Sequence, residues 1–249
     1  MFNIIYSEFL KLKKSYIIIL SLIISVFIPI FQCIASLSND YSNISDTLRY
    51  TLIKNYRINV ELICFQFLYV VFFSLISSYI FSREFTDRTT NILYTYPINR
   101  TKIFIAKLIT IYILILAVYF IQFIAAYVTL YICWGQFPAK NFIIEDIKVN
   151  TYSLFAQLLL MPIPILIGNI TRNIILPVVC GTLASISNAF ITLTGIYMQM
   201  SPLMLPAIPV YYFHVGDPLD FVIITVNTVL TFCISIFICT YHYNHIDIK

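Results

Sequence analysis

The stretch from Ser82 to Lys107, SREFTDRTTNILYTYPINRTKIFIAK, carries the most informative spacing in the chain. Thr86 or Asp87 can cap a short helix over about Thr89 to Tyr96, and Pro97 limits it at the C-terminal side. Asn99 or Thr101 caps the next helix, with Arg100, Lys102 and Lys107 at its basic entry. Such a stretch suits either a lever for a cytoplasmic partner or a plain connecting loop, and the residue sets that catalysis needs are missing. Glycine occurs only at 135, 168, 181, 195 and 216, so no GxxxxGK[ST] loop can cradle the phosphates of ATP. No HExxH, GxSxG or paired-glutamate metal motif occurs, which excludes the usual intramembrane hydrolases. His242 and His245 have no further ligands nearby in sequence and are expected to be interfacial side chains. No catalytic residue and no metal site is expected.

The elements that must position this stretch follow from the charges. Hydrophobic residues make up 60% of the 249 and charged ones 10%, where soluble chains carry roughly 25%. The charged residues form clusters separated by gaps at 15–39, 62–82, 108–139, 149–171, 173–216 and 221–246. Each gap can hold a helix of the ~20 apolar residues that cross a ~30 Å hydrocarbon core. Runs such as YIIILSLIISVFIPIF are continuously apolar, which favours helices over the alternating strands of a barrel. The expected fold is all-α and polytopic, a single transmembrane domain over 1–249. Its six transmembrane helices lie near 16–37, 62–82, 108–132, 151–169, 174–196 and 221–241. The run SPLMLPAIP is too proline-rich for a seventh span and is expected to be an outer apolar loop that dips into the interface or packs on the other helices.

With the N-terminus inside, the inner segments carry ten Lys and Arg and the outer ones five, so both termini are expected in the cytoplasm. The first apolar run, Tyr16 to Leu37, is too long for the core of a cleavable signal and reads as a span. Residues 2–14 form an amphipathic helix expected to lie in the interface. Phe2, Ile5, Tyr6, Phe9 and Leu12 share one face, and Ser7, Glu8, Lys11 and Lys14 lie opposite. Segments 38–61, 135–150 and 197–220 are expected to be outer loops. The six cysteines read as buried thiols acting as small hydrophobes, with no disulfide framework. Gln32, Gln66, Gln122, Gln157, Asn188 and Asn227 are the amide side chains expected within the spans. Of these, Gln66, Gln122, Gln157 and Asn188 are the candidates for a substrate path. The gaps hold no acidic or basic residue, so no buried ionisable group for ion-coupled transport is expected.

The inner loop resembles that of ABC-2-type ABC-transporter permeases. The resemblance rests on Glu84, Thr90, Asn91, Ile92, Leu93, Thr95, Pro97, Ile98, Arg100, Lys102 and Lys107. SEFLKLKKS, residues 7–15, looks like the opening of that family's bacitracin-resistance and lantibiotic-immunity branch. Many members have Gly before the Thr where this chain has Arg88–Thr89. The resemblance implies a permease that binds no cofactor itself, with ATP and Mg held by a separately encoded ABC ATP-binding subunit in two copies. A second permease, identical or homologous, completes the assembly. The cytoplasmic coupling loop is 83–107, and its docking residues are Glu84, Asp87, Arg88, Thr90, Asn91, Leu93, Tyr96, Pro97 and Arg100. In that branch the substrate is an amphiphilic peptide antibiotic removed from the bacterial cytoplasmic membrane. Membrane lipid is a further partner, and no nucleic acid is expected. The alternatives are a different cargo (lipid-linked glycan, haem, an ion or a toxic peptide) or a non-transporting membrane scaffold or sensor.

Overall fold

The computed structural model describes residues 2–13, 15–38, 45–86 and 99–244. Six helices are long and apolar enough to cross a membrane, and no strand occurs among the described residues. Helix α1 (Phe2–Lys13) precedes the first span, α2 (Ile17–Leu37). Helix α3 (Asp46–Leu62) continues through a π turn at Ile63–Leu68 into α4 (Tyr69–Thr86), giving one rod of 41 residues. Helix α5 (Arg100–Trp134) has 35 residues, and α6 (Lys140–Leu160) leads into α7 (Pro162–Thr171). Helix α8 (Ile175–Thr192) and α9 (Phe221–Asn244) complete the bundle.

The helix ends have local causes. Asn99 caps α5, its side-chain oxygen accepting from the Thr101 N–H at 3.1 Å. The same helix stops where Gly135 turns left-handed at φ 64°, a conformation that costs glycine nothing. Met161 separates α6 from α7 because Pro162 and Pro164 lack the N–H groups that would continue the ladder.

Helix α2 packs along α5, and α4 packs against α7 and α8. At the centre Phe65, Tyr69, Phe73 and Tyr119 are buried in mutual contact, with ring centroids of Tyr69 and Tyr119 5.0 Å apart. Gly181 lets α8 approach α4 closely, since a Cβ there would stand 2.9 Å from the Ser74 Cβ and 3.2 Å from the Val70 carbonyl oxygen. By contrast α9 is almost wholly uncovered, with 11% of its apolar window buried, so most of its surface is left for lipid or another chain.

Two expectations for the outer segments need correcting. The segment 38–61 is not a polar loop from residue 46 onward, and the segment 135–150 is not a loop from residue 140 onward. Both are helical extensions of the spans beside them. Three of their charges, on Arg57, Glu61 and Asp146, are buried because they are paired with one another. The third segment does pack on the helices, through short turns at Gly195–Met200, Pro202–Met204, Ile208–Val210 and Tyr211–Val215. Met198, Met204, Leu205, Ala207, Ile208 and Val210 of this cap segment are buried.

The close approach at Gly181 predicts the sign of a small change. Gly181→Ala gains up to about 1 kcal/mol of helix propensity, but overpacking against Ser74 and Val70 costs about 1–3 kcal/mol. Thermal unfolding in detergent is expected to show a lower midpoint for the variant. A raised midpoint would mean that α4 and α8 are not in the contact described.

Candidate functional sites at the two ends of the bundle

One centre lies at the end where α4 finishes and α5 begins. Glu84 is buried, and its two carboxylate oxygens take separate partners. Lys107 Nζ lies 2.5 Å from Oε2 and also donates to the Ile80 carbonyl at 3.3 Å. Lys11 Nζ lies 3.0 Å from Oε1 and 2.6 Å from Glu8 Oε1. Burial would by itself lower the Lys11 pKa, but the charges of Glu84 and Glu8 more than reverse this and hold it above 10.5. The node therefore ties α1 to α4 and α5.

Glu84 and Arg100 flank the middle of the stretch from Ser82 to Lys107. Asp87, Arg88, Thr90, Asn91, Leu93, Tyr96 and Pro97 lie outside the described residues, as does Lys14. In α1, Glu8 and Leu12 face the bundle while Phe2 is 88% exposed and Tyr6 is 66% exposed. Ile5 and Phe9 are half-buried, and Lys11 reaches from the exposed side to Glu84. The helix thus has a bundle face, an apolar outer face and a polar edge. A two-sided wheel could not separate the first two.

The other centre was not anticipated. Arg57 is fully buried, its Nε donating to Asp146 Oδ2 at 2.9 Å and its Nη2 3.2 Å from Glu61 Oε1. Tyr127 donates to Asp146 Oδ2 at 2.6 Å, and Asn150 donates to Glu61 Oε1 at 2.6 Å. The rings of Phe123 and Tyr127 lie over the guanidinium, each centroid at 5.2 Å. The remaining oxygens, Glu61 Oε2 and Asp146 Oδ1, both face His214 Nε2, at 3.3 and 3.6 Å. His214 belongs to the cap segment and stacks on Phe142. One histidine and two carboxylates within 4.8 Å are metal-ligand types. Here, however, one oxygen of each carboxylate is already taken by Arg57. Two carboxylates against one guanidinium leave one negative charge, which an imidazolium at His214 cancels. Burial alone would lower the His214 pKa, but Asp146 and Glu61 more than reverse this and hold it up at about 9.

The expectation that no ionisable group is buried in the bundle is therefore wrong. Gaps free of charge locate spans, but they do not require the charges beside them to face water. The signal was present in the spacing. Arg57–Glu61 and Asp146–Asn150 are both i,i+4 pairs, which mark continuing helix.

The candidate path residues divide. Asn188 donates to the carbonyls of Gln66 and Leu203, and Tyr211 donates to Gln66 Oε1 at 3.2 Å. Gln157 lines a cavity of about 30 Å³ with Ser74 and Leu203. Gln66 and Asn188 thus anchor the cap segment, and Gln157 lies beside it. Gln122 is fully buried, and its amide has no hydrogen-bond partner among the described residues. Beside the cap lies an apolar groove of about 400 Å³, lined by Tyr152, Phe155, Tyr212, Phe213 and Phe221 among others.

Comparison with known families settles the class. Residues 4–188 match the model of the ABC-2 family transporter protein. The chain belongs to the ABC-2 transporter family. It is a multi-pass membrane protein of the permease kind, a family whose members are typically the membrane subunit and work with an ATP-binding subunit. No match is found among curated proteins or among solved structures.

The charge balance at His214 predicts a pH dependence. Its folded pKa of about 9 lies above the ordinary 6.5, so its contribution is full below about pH 6.5 and is lost as pH rises through about 9. The groups facing it are Glu61 and Arg57 from α3 and Asp146 from α6, with Tyr127 of α5 on Asp146. The midpoint of thermal unfolding should fall across that window in the wild type and fall less steeply in His214→Gln. An equal slope in both proteins would show that His214 is not charged in the fold.

Proposed function

We propose that this chain is the membrane-spanning permease subunit of an ATP-driven exporter in a bacterial cytoplasmic membrane. Its cargo is a cationic, amphiphilic peptide antibiotic of the bacitracin or lantibiotic kind. Both termini and segment 83–107 face the cytoplasm, in keeping with the two-to-one excess of Lys and Arg on that side. ATP and Mg enter through two copies of the partner ATP-binding subunit, and a second permease, identical or homologous, completes the membrane core. The segment that includes Asp87, Arg88, Thr90, Asn91, Leu93, Tyr96 and Pro97 docks on the ATP-binding subunit.

The observation that carries this coupling is the Lys11–Glu84–Lys107 node. It joins both flanks of segment 87–98 to each other and to α1. A displacement of that segment by ATP-driven closure is thereby delivered to α1, α4 and α5 as a rigid group. At the far end, the aromatic groove beside the cap segment supports an amphiphilic cargo, whose apolar part it would hold at the lipid-facing surface.

Cells that express the chain with its ATP-binding subunit are expected to tolerate several-fold more cationic peptide antibiotic than cells with either subunit alone. Lys107→Met should remove that protection while the protein still accumulates in the membrane. Unchanged susceptibility with both wild-type subunits would sink the cargo, and full protection by Lys107→Met would sink the coupling role of the node.

A further inference from the structure

Cys33 near the end of α2 and Cys133 near the end of α5 place their sulfur atoms 2.8 Å apart. That is closer than non-bonded sulfurs pack, and less than an ångström of approach separates it from a bond of about 2.05 Å. No other two thiols are paired among the described residues, which include Cys64, Cys180, Cys233 and Cys239. A second contact fixes the register independently. Tyr56 donates to the Pro29 carbonyl at 3.0 Å and pairs with Thr129 Oγ1 at 2.9 Å. Pro29 and Thr129 each precede their cysteine by four residues, so the thiols stand one helical turn beyond a hydrogen-bonded clasp between the same two helices. Cys33 is buried and Cys133 is half-exposed, so one thiol can be reached from outside and the other sits behind it.

We propose that Cys33 and Cys133 are a redox modification site, a pair that closes to a disulfide pinning α2 to α5 at the end of the bundle remote from α1. The co-reactant is a disulfide, either a small molecule or an oxidoreductase. The Cys133 thiolate attacks one sulfur of the donor, forming a mixed disulfide and expelling the donor's other sulfur as a thiolate. The Cys33 thiolate then attacks Cys133 Sγ, forming the Cys33–Cys133 bond and releasing the donor's remaining sulfur. The two thiol protons and two electrons leave with the donor as two thiols. The inference about which compartment supplies the donor rests on the orientation proposed above, which turns this end to the outside of the membrane, where disulfides persist.

The test uses the full chain in its membrane. Oxidised glutathione, which does not cross the bilayer, is added to intact cells or to inverted vesicles. Free thiols are then trapped under denaturing conditions with a mass-tagged maleimide, and linked peptides are identified by mass spectrometry. Of the six cysteines, four should be labelled before reduction and six after it in intact cells, with a Cys33–Cys133 peptide recovered. Cys33→Ser should show four labelled thiols before reduction and five after it, with glutathione held on Cys133 and no linked peptide. Six labelled thiols without reduction in both preparations, or a linked peptide from any other pair, would overturn the proposal. A Cys33–Cys133 bond formed only in inverted vesicles would support the pair and overturn the orientation.

Discussion

A guanidinium cannot be left unpaired inside an apolar bundle, and much of this fold follows from enclosing Arg57. The set that encloses it comes from three helices and the cap segment, the cap's His214 facing the two carboxylates. Glu61 lies one turn along its own helix, Asp146 is on α6, and His214 is on the cap. Tyr127 and Phe123 on α5 close the remaining sides. Removing one member of such a buried set costs about 3–5 kcal/mol, because the others are left as uncompensated charge. The cluster is therefore better understood as a device that selects one arrangement of α3, α5, α6 and the cap than as a net source of stability. Replacing all of it with apolar side chains would retain burial and lose that selection.

The two charge centres share a single rod. Arg57 and Glu84 lie on the uninterrupted helix Asp46–Thr86, about 40 Å apart at 1.5 Å per residue. That separation is close to the ~40–45 Å of a bilayer with its headgroups. The rod can thus hold one centre at each interface while its middle, around Tyr69 and Phe73, remains apolar and packed. Its one irregularity is the π turn at Ile63–Leu68, where Gln66 offers its backbone carbonyl to Asn188 and its side chain to Tyr211. Such turns are found often at functional positions in helices. This one lies next to the charged centre and beneath the cap, where a shift of the rod would be felt first.

The sequence disclosed the spans well, because a run free of charge and long enough to cross lipid has few other uses. It also narrowed the cap of α5 to Asn99 or Thr101, of which Asn99 is the cap, and it kept the proline-rich run after α8 from being read as a span. It did not disclose the charged centre, because Arg57, Glu61 and Asp146 are dispersed over ninety residues and their neutralisation exists only after folding. Taken one at a time they resemble solvated loop charges, and only the i,i+4 spacing within each segment hints at helix. His214 is harder still to foresee, since its partners are 153 and 68 residues away in the chain. The three faces of α1 were hidden for a related reason. A helical wheel separates apolar from polar residues, but it does not separate the lipid side from the bundle side.

The central claim is that this family member moves its helices with energy supplied by another chain. The most direct measurement is to purify the tagged protein gently from its native membrane and identify its stoichiometric partners by mass spectrometry. Recovery of a P-loop ATP-binding subunit in equal amount with the permease chains, released when segment 87–98 is replaced by a flexible linker, is the predicted result. Recovery of the chain alone, under conditions that keep another ABC complex intact, would contradict it.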